Sequence, residues 1–427
     1  MSRIIAYDLT RLFIGPLFLT PRGIDRVDLA LALHVFEHEN TRNLGILPTP
    51  WGTRAYPAKV VRQLLEKLQQ LWSEDLAGSR DPQLQFLIER IQEPFAVHQV
   101  TASPARLSLA GKVRRIVDLL LVTGLKLGRS AKRSVPRGAV YVNIGQLGLA
   151  VPIFHAWLEE RRDLTCAIML HDVIPLEYPH LVSKAAVGHH ARMVKTAARH
   201  ADCLLFNTEY ARAGIDAALQ EYGRIGVPSL VRSLPLPDAY AEAEMSVPEL
   251  DNVNYFLVVS TIEPRKNHDL LLRVWKRLIK RMGVEAPHLI VVGARGYDSE
   301  RILAPLDHDP VLQAHVHIVS GLSSAALASL TLGATGMLCP SLAEGFGLPV
   351  LEANALAVPT VASDIAAHRE VGNDATIFLP TDDEIGWERA ITGLPATGQR
   401  RGVPIAASLT EQAYCDDVLD FLTEMKI

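Results

Sequence analysis

Several features that would point to a particular class of protein are scarce in this chain. Only four of its 427 residues are cysteine, they are widely spaced, and none belongs to a CxxC pair. We therefore expect buried, reduced thiols rather than a disulfide framework. No uncharged apolar run approaches the roughly 18 residues that a membrane span needs. Asp8 and Arg11 interrupt the apolar opening too early for a secretion signal, so we expect a cytoplasmic protein.

Motifs for metal ions and for several nucleotide-binding loops are missing as well. The 15 histidines are scattered, no DxD-like acid pair lies in a predicted strand-end loop, and neither a P-loop nor GxGxxG occurs. We therefore expect no metal site and no cofactor. The hydrophobic fraction of 48% fits a globular enzyme with an ample core. A length of 427 residues favours two domains.

Charge is unevenly distributed, although the formal net charge at pH 7 is only −4. Residues 1–200 contain 26 Lys and Arg against 17 Asp and Glu, so the remainder of the chain is acidic. Segment 112–137 has Asp118 as its only acid among many cations and apolar residues. This pattern is typical of a basic amphipathic helix lying among lipid headgroups. A core helix with a solvated basic face explains it equally well, and we expect no nucleic-acid partner.

Strand-length apolar runs alternate with helix-length periodic stretches, which is typical of α/β folds with parallel sheets. A stretch rich in Pro, Asp and Glu at 234–252 separates two such series, so we expect domains at 1–240 and 241–406. Residues 40–138 are harder to place, apart from helices near 58–71 and 83–91. The predicted strands cover residues 4–7, 140–143, 165–170, 203–206, 255–259, 288–292, 316–319 and 335–339.

Residues 341–353 carry more chemistry than any other stretch. They read SLAEGFGLPVLEA, in which Glu344 and Glu352 are separated by two glycines and a proline. A strand, a glycine-bearing turn and a proline in the first helical turn leave backbone N–H groups directed at an anion. The glycines let a ligand approach the backbone closely. The two acids could hold the hydroxyl-bearing ends of a phosphate-containing ligand such as a sugar nucleotide. The alternative is that they merely face water or are stabilised by the positive end of the helix dipole.

This stretch resembles the signature of the retaining glycosyltransferases of family 4, in which a Glu, seven residues and a second Glu follow one another around Gly-Phe-Gly. The resemblance extends over residues 335–379. It implies the GT-B fold, an α/β architecture of two facing Rossmann-like domains with parallel sheets and a ligand cleft at the carboxyl ends of the strands. It also implies that the final helix, within 407–427, packs back on the first domain.

The resemblance also assigns roles to individual residues. Arg265 and Lys266, a cationic pair at a strand–helix junction, are suited to the diphosphate of a donor. A further Arg found upstream in many family members is here Thr261. On the acceptor side the resemblance places Gly23, Arg26 and Asp172. The catalytic residues it implies are His171, Glu344 and Lys266, and the donor-binding residues are Arg265, Lys266, Glu344, Gly345, Phe346, Gly347, Leu348 and Glu352.

These observations predict a cytoplasmic, metal-independent, retaining hexosyltransferase that uses a nucleoside-diphosphate sugar. The motifs look most similar to those of mannosyltransferases of bacterial surface-polysaccharide assembly, so we prefer mannose as the sugar and a lipid-linked saccharide as the acceptor. A GT-B epimerase or phosphorylase and a non-catalytic nucleotide-sugar-binding protein remain alternatives. A glycoside hydrolase is a third, but it needs carboxyl groups about 5–9.5 Å apart, whereas eight residues of helix rise about 12 Å.

Overall fold

The chain forms two sheets, one in each half. The computed structural model describes residues 3–14, 23–37, 42–74, 81–93, 111, 114, 117–118, 128–243, 245–395 and 406–425. The strands of the first sheet are β1 (Ile5–Asp8), β2 (Leu44–Thr49), β3 (Gly52–Pro57), β4 (Arg129–Ser130), β5 (Val140–Asn143), β6 (Thr165–Met169), β7 (Cys203–Phe206) and β8 (Ser229–Val231). Those of the second are β9 (Tyr255–Val259), β10 (His288–Val292), β11 (Val316–Val319), β12 (Gly336–Cys339), β13 (Thr360–Ser363) and β14 (Thr376–Leu379).

Helices follow most of the strands, as crossover connections between parallel strands require. In the first half the described helices are α1 (Thr10–Ile14), α2 (Gly23–Phe36), α3 (Ala58–Glu74), α4 (Pro82–Gln92), α5 (Ala131–Ser134), α6 (Ile174–Glu177), α7 (Lys184–His200), α8 (Glu209–Gln220) and α9 (Asp238–Ala241). In the second half they are α10 (His268–Met282), α11 (Ser299–Asp307), α12 (Pro310–His315), α13 (Ser324–Gly333), α14 (Leu348–Ala355), α15 (Ala366–Val371), α16 (Glu384–Gly393) and α17 (Glu411–Glu424).

The first sheet has the strand order β4-β3-β2-β1-β5-β6-β7-β8. All neighbours are parallel except at one edge, where β3 pairs antiparallel with both β2 and β4. Every residue of β1, β5, β6 and β7 is buried. Strands covered by helices on both faces have this character, because neither face meets water.

The second sheet is entirely parallel, with the order β11-β10-β9-β12-β13-β14. Trp275 of α10 and Trp387 of α16 are fully buried beside it. Their indole N–H groups donate to the carbonyl oxygens of Pro287 and Pro380 at 2.8 and 2.9 Å. Buried aromatic side chains of this size anchor the helix layer to the sheet while their polar atoms stay satisfied.

The last helix contributes to the core of the first half. Tyr414, Val418 and Leu422 of α17 are buried in the same apolar cluster as Tyr7 and the residues of α2. The backbone of Leu236 also donates to the carbonyl oxygen of Leu409 at 2.9 Å. The chain therefore returns to the first sheet after completing the second one.

The predicted strands and the helices near 58–71 and 83–91 occur in the structure, with boundaries that shift by one or a few residues. No strand is predicted from the sequence at β2, β3, β4, β8 or β13. All four cysteines are buried and free, as expected. Much of segment 112–137 lies outside the described residues, so neither interpretation of it is tested. Within the described ranges, no helix is both long and apolar enough to cross a bilayer.

Candidate functional site

The cationic pair, Arg265 and Lys266, lies in the connection between β9 and α10. After β9 ends, a short 3₁₀ turn covers Pro264–Lys266, and Asn267 then adopts a left-handed conformation with φ of 56°. The Asn267 amide donates to the carbonyl oxygens of Pro340 and Thr381 at 3.0 and 2.9 Å. Asparagine tolerates this conformation better than most residues. Its side chain thus ties the cationic turn to the loop after β12.

Glu344 lies in the loop after β12 and forms ion pairs with both cations. Arg265 Nη1 donates to Glu344 Oε2 at 2.9 Å, and the Lys266 ammonium contacts Glu344 Oε1. The Ser341 hydroxyl donates to the same Oε1 at 2.7 Å. Arg265 Nε makes a further ion pair with Glu263 at 2.6 Å. Two cations and two carboxylates therefore form one network, in which each cation is held in a fixed direction.

Electrostatics keep this network charged although it is buried. Burial alone would raise the pKa of Glu344, but Lys266 and Arg265 outweigh it and hold that pKa well below its usual range. Burial lowers the pKa of Lys266 in spite of the attraction of Glu344. For Arg265, burial opposes the charged form, yet Glu344 and Glu263 raise its pKa. At neutral pH the acid is a carboxylate beside two positive charges.

Next to the network, the start of α14 offers backbone donors. Gly347 caps the helix with φ of 100°, and a Cβ there would lie 2.9 Å from the His368 ring. In the described part of the chain, the backbone N–H groups of residues 345–348 have no acceptor. Unpaired N–H groups at a helix start attract anions. Glycine at 347 is required both by its φ and by the approach of His368.

His171 and Asp172, which follow β6, meet this loop across the two halves. A Cβ on Gly345 would lie 2.6 Å from the carbonyl oxygen of His171 and 2.7 Å from Asp172 Cβ. The Thr208 hydroxyl donates to the carbonyl oxygen of Gly345 at 2.8 Å. The carboxylate of Glu370 accepts two bonds of 2.7 Å from the first amides of α8. The carboxyl edges of the two sheets are thus in direct contact.

His171 is buried and uncharged at neutral pH. Burial, aided by Arg11, lowers its pKa to about 3. Its Nε2 lies 3.3 Å from the carbonyl oxygen of Ile144, which can only accept, so this nitrogen carries the proton. Nδ1 is then a lone-pair acceptor, and it has no partner among the described residues. A neutral imidazole in this state can receive a hydrogen bond from a hydroxyl group but cannot donate a proton from Nδ1.

The second acid of the signature lies in a different environment from the first. Glu352 is only 4% exposed, and burial raises its pKa to about 7 against the opposing influence of Arg26 and Tyr240. Arg26 also donates to the Ser324 hydroxyl at 2.7 Å, so α2 reaches the second half here. At the start of α2, a Cβ on Gly23 would lie 3.2 Å from Leu348.

The structure therefore groups the predicted residues into three neighbouring sets: Arg265 and Lys266 with Glu344, the dipeptide at 171–172 with Gly345, and Arg26 with Glu352. Neither acid merely faces water, so the solvent-exposed form of the alternative is wrong. Within the described ranges, no cluster of His, Cys, Asp and Glu is suited to a metal ion. Sequence reasoning missed the supporting residues Glu263, Ser341, Thr208, Glu370 and His368, since single polar residues of this kind carry no motif signal.

The chain resembles known proteins over part of its length. Residues 241–394 match the family described as "Glycosyl transferases group 1". The serotype-specific mannosyltransferase WbdA of Escherichia coli is 26% identical over 219 residues, covering 48% of this chain and 27% of that protein. The O-antigen chain mannosyltransferase RfbU of Salmonella typhimurium is 31% identical over 141 residues, covering 33% of this chain. The matched part spans only 27% and 38% of the length of these two relatives.

Solved structures support the fold over nearly the whole chain. Anabaena HepE in complex with UDP and glucose has a TM-score of 0.58 at 13% identity, covering 99% of this chain and 100% of that one. Sucrose-phosphate synthase from Thermosynechococcus elongatus has a TM-score of 0.55 at 14% identity, covering 99% and 95%. The predicted GT-B fold and the resemblance noted in the sequence are both confirmed.

Proposed function

Because residues 241–394 belong to the group 1 glycosyl transferases and the chain has the GT-B fold, we propose that it is a retaining, metal-independent glycosyltransferase. It moves a hexose from a nucleoside-diphosphate sugar to a saccharide acceptor in polysaccharide biosynthesis. We prefer mannose from a GDP-mannose-type donor, since both relatives named above are mannosyltransferases. The UDP and glucose held by HepE support a nucleotide-sugar donor in general.

The observation that carries this proposal is that Lys266 and Arg265 both pair with Glu344, which directly precedes the unpaired backbone N–H groups of residues 345–348. When the bond from sugar to phosphate breaks, negative charge develops on the departing diphosphate. Fixed cations and N–H dipoles stabilise that charge most in the transition state, and they need little reorganisation to do so. Glu263 and Glu344 hold the two cations in place before the donor arrives.

The remaining roles follow from position and charge. Glu344 orients the sugar hydroxyls or stabilises the positive charge of an oxocarbenium-like sugar, because it remains a carboxylate. Glu352 accepts hydrogen bonds from the ribose hydroxyls, and its ionised form suits this task best because both oxygens then act only as acceptors. His171 receives a hydrogen bond at Nδ1 from the reacting sugar or its acceptor. The proposed reaction has no covalent intermediate, so the protein contributes by stabilising charge and by positioning the substrates.

An exposed apolar rim on the first domain supports a saccharide acceptor. Trp51, in the turn between β2 and β3, is 67% exposed, and Ile153 is 76% exposed. The Thr53 hydroxyl donates to the carbonyl oxygen of Phe154 at 3.1 Å, which holds the two segments together. Since β2 runs parallel to β1, β5 and β6, the turn lies at the same sheet edge as His171. An indole face can pack on the apolar face of a sugar ring.

We further propose that the acceptor saccharide is lipid-linked and that the protein works in the cytoplasm, at the inner face of the membrane. Peripheral contact through segment 112–137 would bring the cleft to such an acceptor, because the segment's cations favour an anionic surface. Replacing its lysines and arginines by glutamine tests this part separately. Unchanged flotation with anionic vesicles would remove the membrane contact from the proposal and leave the transfer reaction untouched.

A thermal-shift panel tests the proposed function. The protein is heated with nucleoside mono- and diphosphates and with nucleotide sugars, including GDP-mannose and UDP-glucose. We expect one nucleoside diphosphate series to raise the melting temperature and the monophosphate of the same base to do so much less, because the cationic pair meets the second phosphate. A donor that stabilises the protein should also be hydrolysed slowly without acceptor. Binding with no transfer and no hydrolysis would instead identify a nucleotide-sugar sensor.

A further inference from the structure

A small cavity lies at the amino-terminal edge of the first sheet, away from the cleft. Its volume is about 70 Å³, and Cys166, the second residue of β6, forms part of its wall. His171 follows the other end of the same strand, five residues later, which corresponds to about 17 Å. We call this cavity the basic pocket; its polar walls are Arg161, Arg162, Arg199, His200, Asp202 and Arg224.

Positive charge exceeds negative charge around the basic pocket. A fifth arginine, Arg137, lies near the four in its walls, and together with Arg161 it lowers the pKa of Asp163. Three carboxylates lie nearby. Asp163 forms an ion pair with Arg161, Glu159 forms one with Arg199, and Asp202 is part of the wall itself. Five guanidinium groups against three carboxylates leave two uncompensated positive charges. This local surplus stands out in a chain with a net charge of −4.

The arginines differ in how many N–H donors they have already used. Arg161 has used four of its five donors, since it donates to Asp163 and to the carbonyl oxygens of Lys132 and Pro136. Arg199 has one ion pair of 2.9 Å with Glu159, and Arg224 donates to the carbonyl oxygen of Ala201. Arg162 has no partner among the described residues. Each guanidinium carries five donors, so the last three retain N–H groups beside the cavity.

We propose that the basic pocket binds a phosphate group, either free or carried on a phosphomonoester. A phosphate monoester bears about −1.5 to −2 charges at pH 7, which matches the surplus. The planar fork of arginine suits phosphate oxygens better than a point charge does. A cavity of 70 Å³ exceeds the roughly 10–15 Å³ that one water needs, so several oxygen atoms fit.

Cations at a helix C-terminus provide the competing explanation. Arg199 and His200 end α7, and Arg224 follows α8, where positive charge is favoured by the helix dipole. If that were their whole purpose, the pocket would have no affinity for phosphate.

Calorimetric titration of the full chain with inorganic phosphate and with glycerol phosphate decides between the two. It is performed in a Lys266→Ala background, which weakens phosphate binding in the donor cleft. We expect saturable binding that becomes about tenfold weaker in Arg162→Gln, because one charge-assisted contact is lost. Arg162 is exposed, so this variant should fold; Arg224→Gln is the second variant. Arg212→Gln, on the outer face of α8, is the matched control and should bind like its parent.

The source of the phosphate is settled by flotation with phosphatidylcholine vesicles, with and without phosphatidic acid. Competition between these vesicles and soluble phosphate indicates a lipid headgroup, and soluble binding alone indicates a free phosphate. Absence of saturable phosphate binding, or equal affinity in Arg162→Gln, Arg224→Gln and Arg212→Gln, overturns the proposal. Neither result bears on donor binding, which uses other residues.

Discussion

Replacing Lys266 by alanine removes one of the two cations that we propose meet the departing diphosphate. Lys266 is 9% exposed, and its ammonium contacts Glu344. In the variant, Arg265 remains 2.9 Å from the same carboxylate, and Ser341 still donates to it. The carboxylate therefore stays paired. The variant should fold, but its transition state loses a fixed positive charge.

The size of the effect can be worked from this geometry. Loss of one preorganised donor to a developing negative charge costs about 2.7–4 kcal/mol, which corresponds to a fall in kcat of roughly 10²–10³-fold. Breaking a buried ion pair outright costs about 3–5 kcal/mol of stability. Since Arg265 and Ser341 still satisfy Glu344, we expect a smaller loss of about 1–2 kcal/mol.

The assay is release of nucleoside diphosphate from the preferred donor, measured beside the melting temperature. Lys280→Ala is the matched control, because Lys280 is an exposed lysine on α10, the helix that follows Lys266. We expect the control to turn over like the unaltered protein. If Lys266→Ala stays within about twofold of it while the donor is saturating, the assignment of Lys266 to the leaving group is refuted.

Three further predictions concern other parts of the site. Burial raises the pKa of Glu352 from 4.5 to about 7, so the folded state binds its proton more tightly and stability falls as pH rises between these values. Glu352→Gln should remove up to roughly 3 kcal/mol of this loss in unfolding free energy, so its melting temperature should fall less steeply with pH. The slopes due to Asp28 and Glu411, whose pKa values are also raised to about 7, should remain. An unchanged slope contradicts the buried placement. Gly345→Ala places a Cβ 2.6 Å from a backbone oxygen of the other half and should lower kcat at least tenfold. Gly393→Ala is the control, because a Cβ there has nothing within 4 Å, and it should keep its kcat. Equal kcat values for the two variants argue against contact between the halves during turnover. Dialysis against a chelator should leave turnover unchanged, and a loss that Mn²⁺ or Mg²⁺ restores would refute metal independence.

Much of the fold and of the donor side could be predicted because short motifs encode them locally. Pro349 and Gly347 set the start of α14, and the strand runs are apolar throughout, since both faces of these sheets are covered. Glu352 shows the limit of this reasoning. Its spacing from Glu344 suggested a shared task, but its pKa depends on its burial in the tertiary structure and, secondly, on Arg26 and Tyr240, which are distant in sequence.

The same limit explains the residues that were missed. Thr208 and Glu370 form hydrogen bonds between the two halves. A local sequence pattern does not predict a partner more than 130 residues away. The antiparallel edge formed by β3 and β4 was also missed, because its strands are short and half-exposed. Contacts of this kind can be identified only when the tertiary structure is known.

A crystal structure of the full chain with a nucleoside diphosphate tests the central claim most directly. We predict that the second phosphate lies within about 2.7–3.1 Å of Lys266 Nζ and of a backbone nitrogen among residues 345–348. A diphosphate held elsewhere, with Lys266 and the start of α14 left uncontacted, would contradict the account.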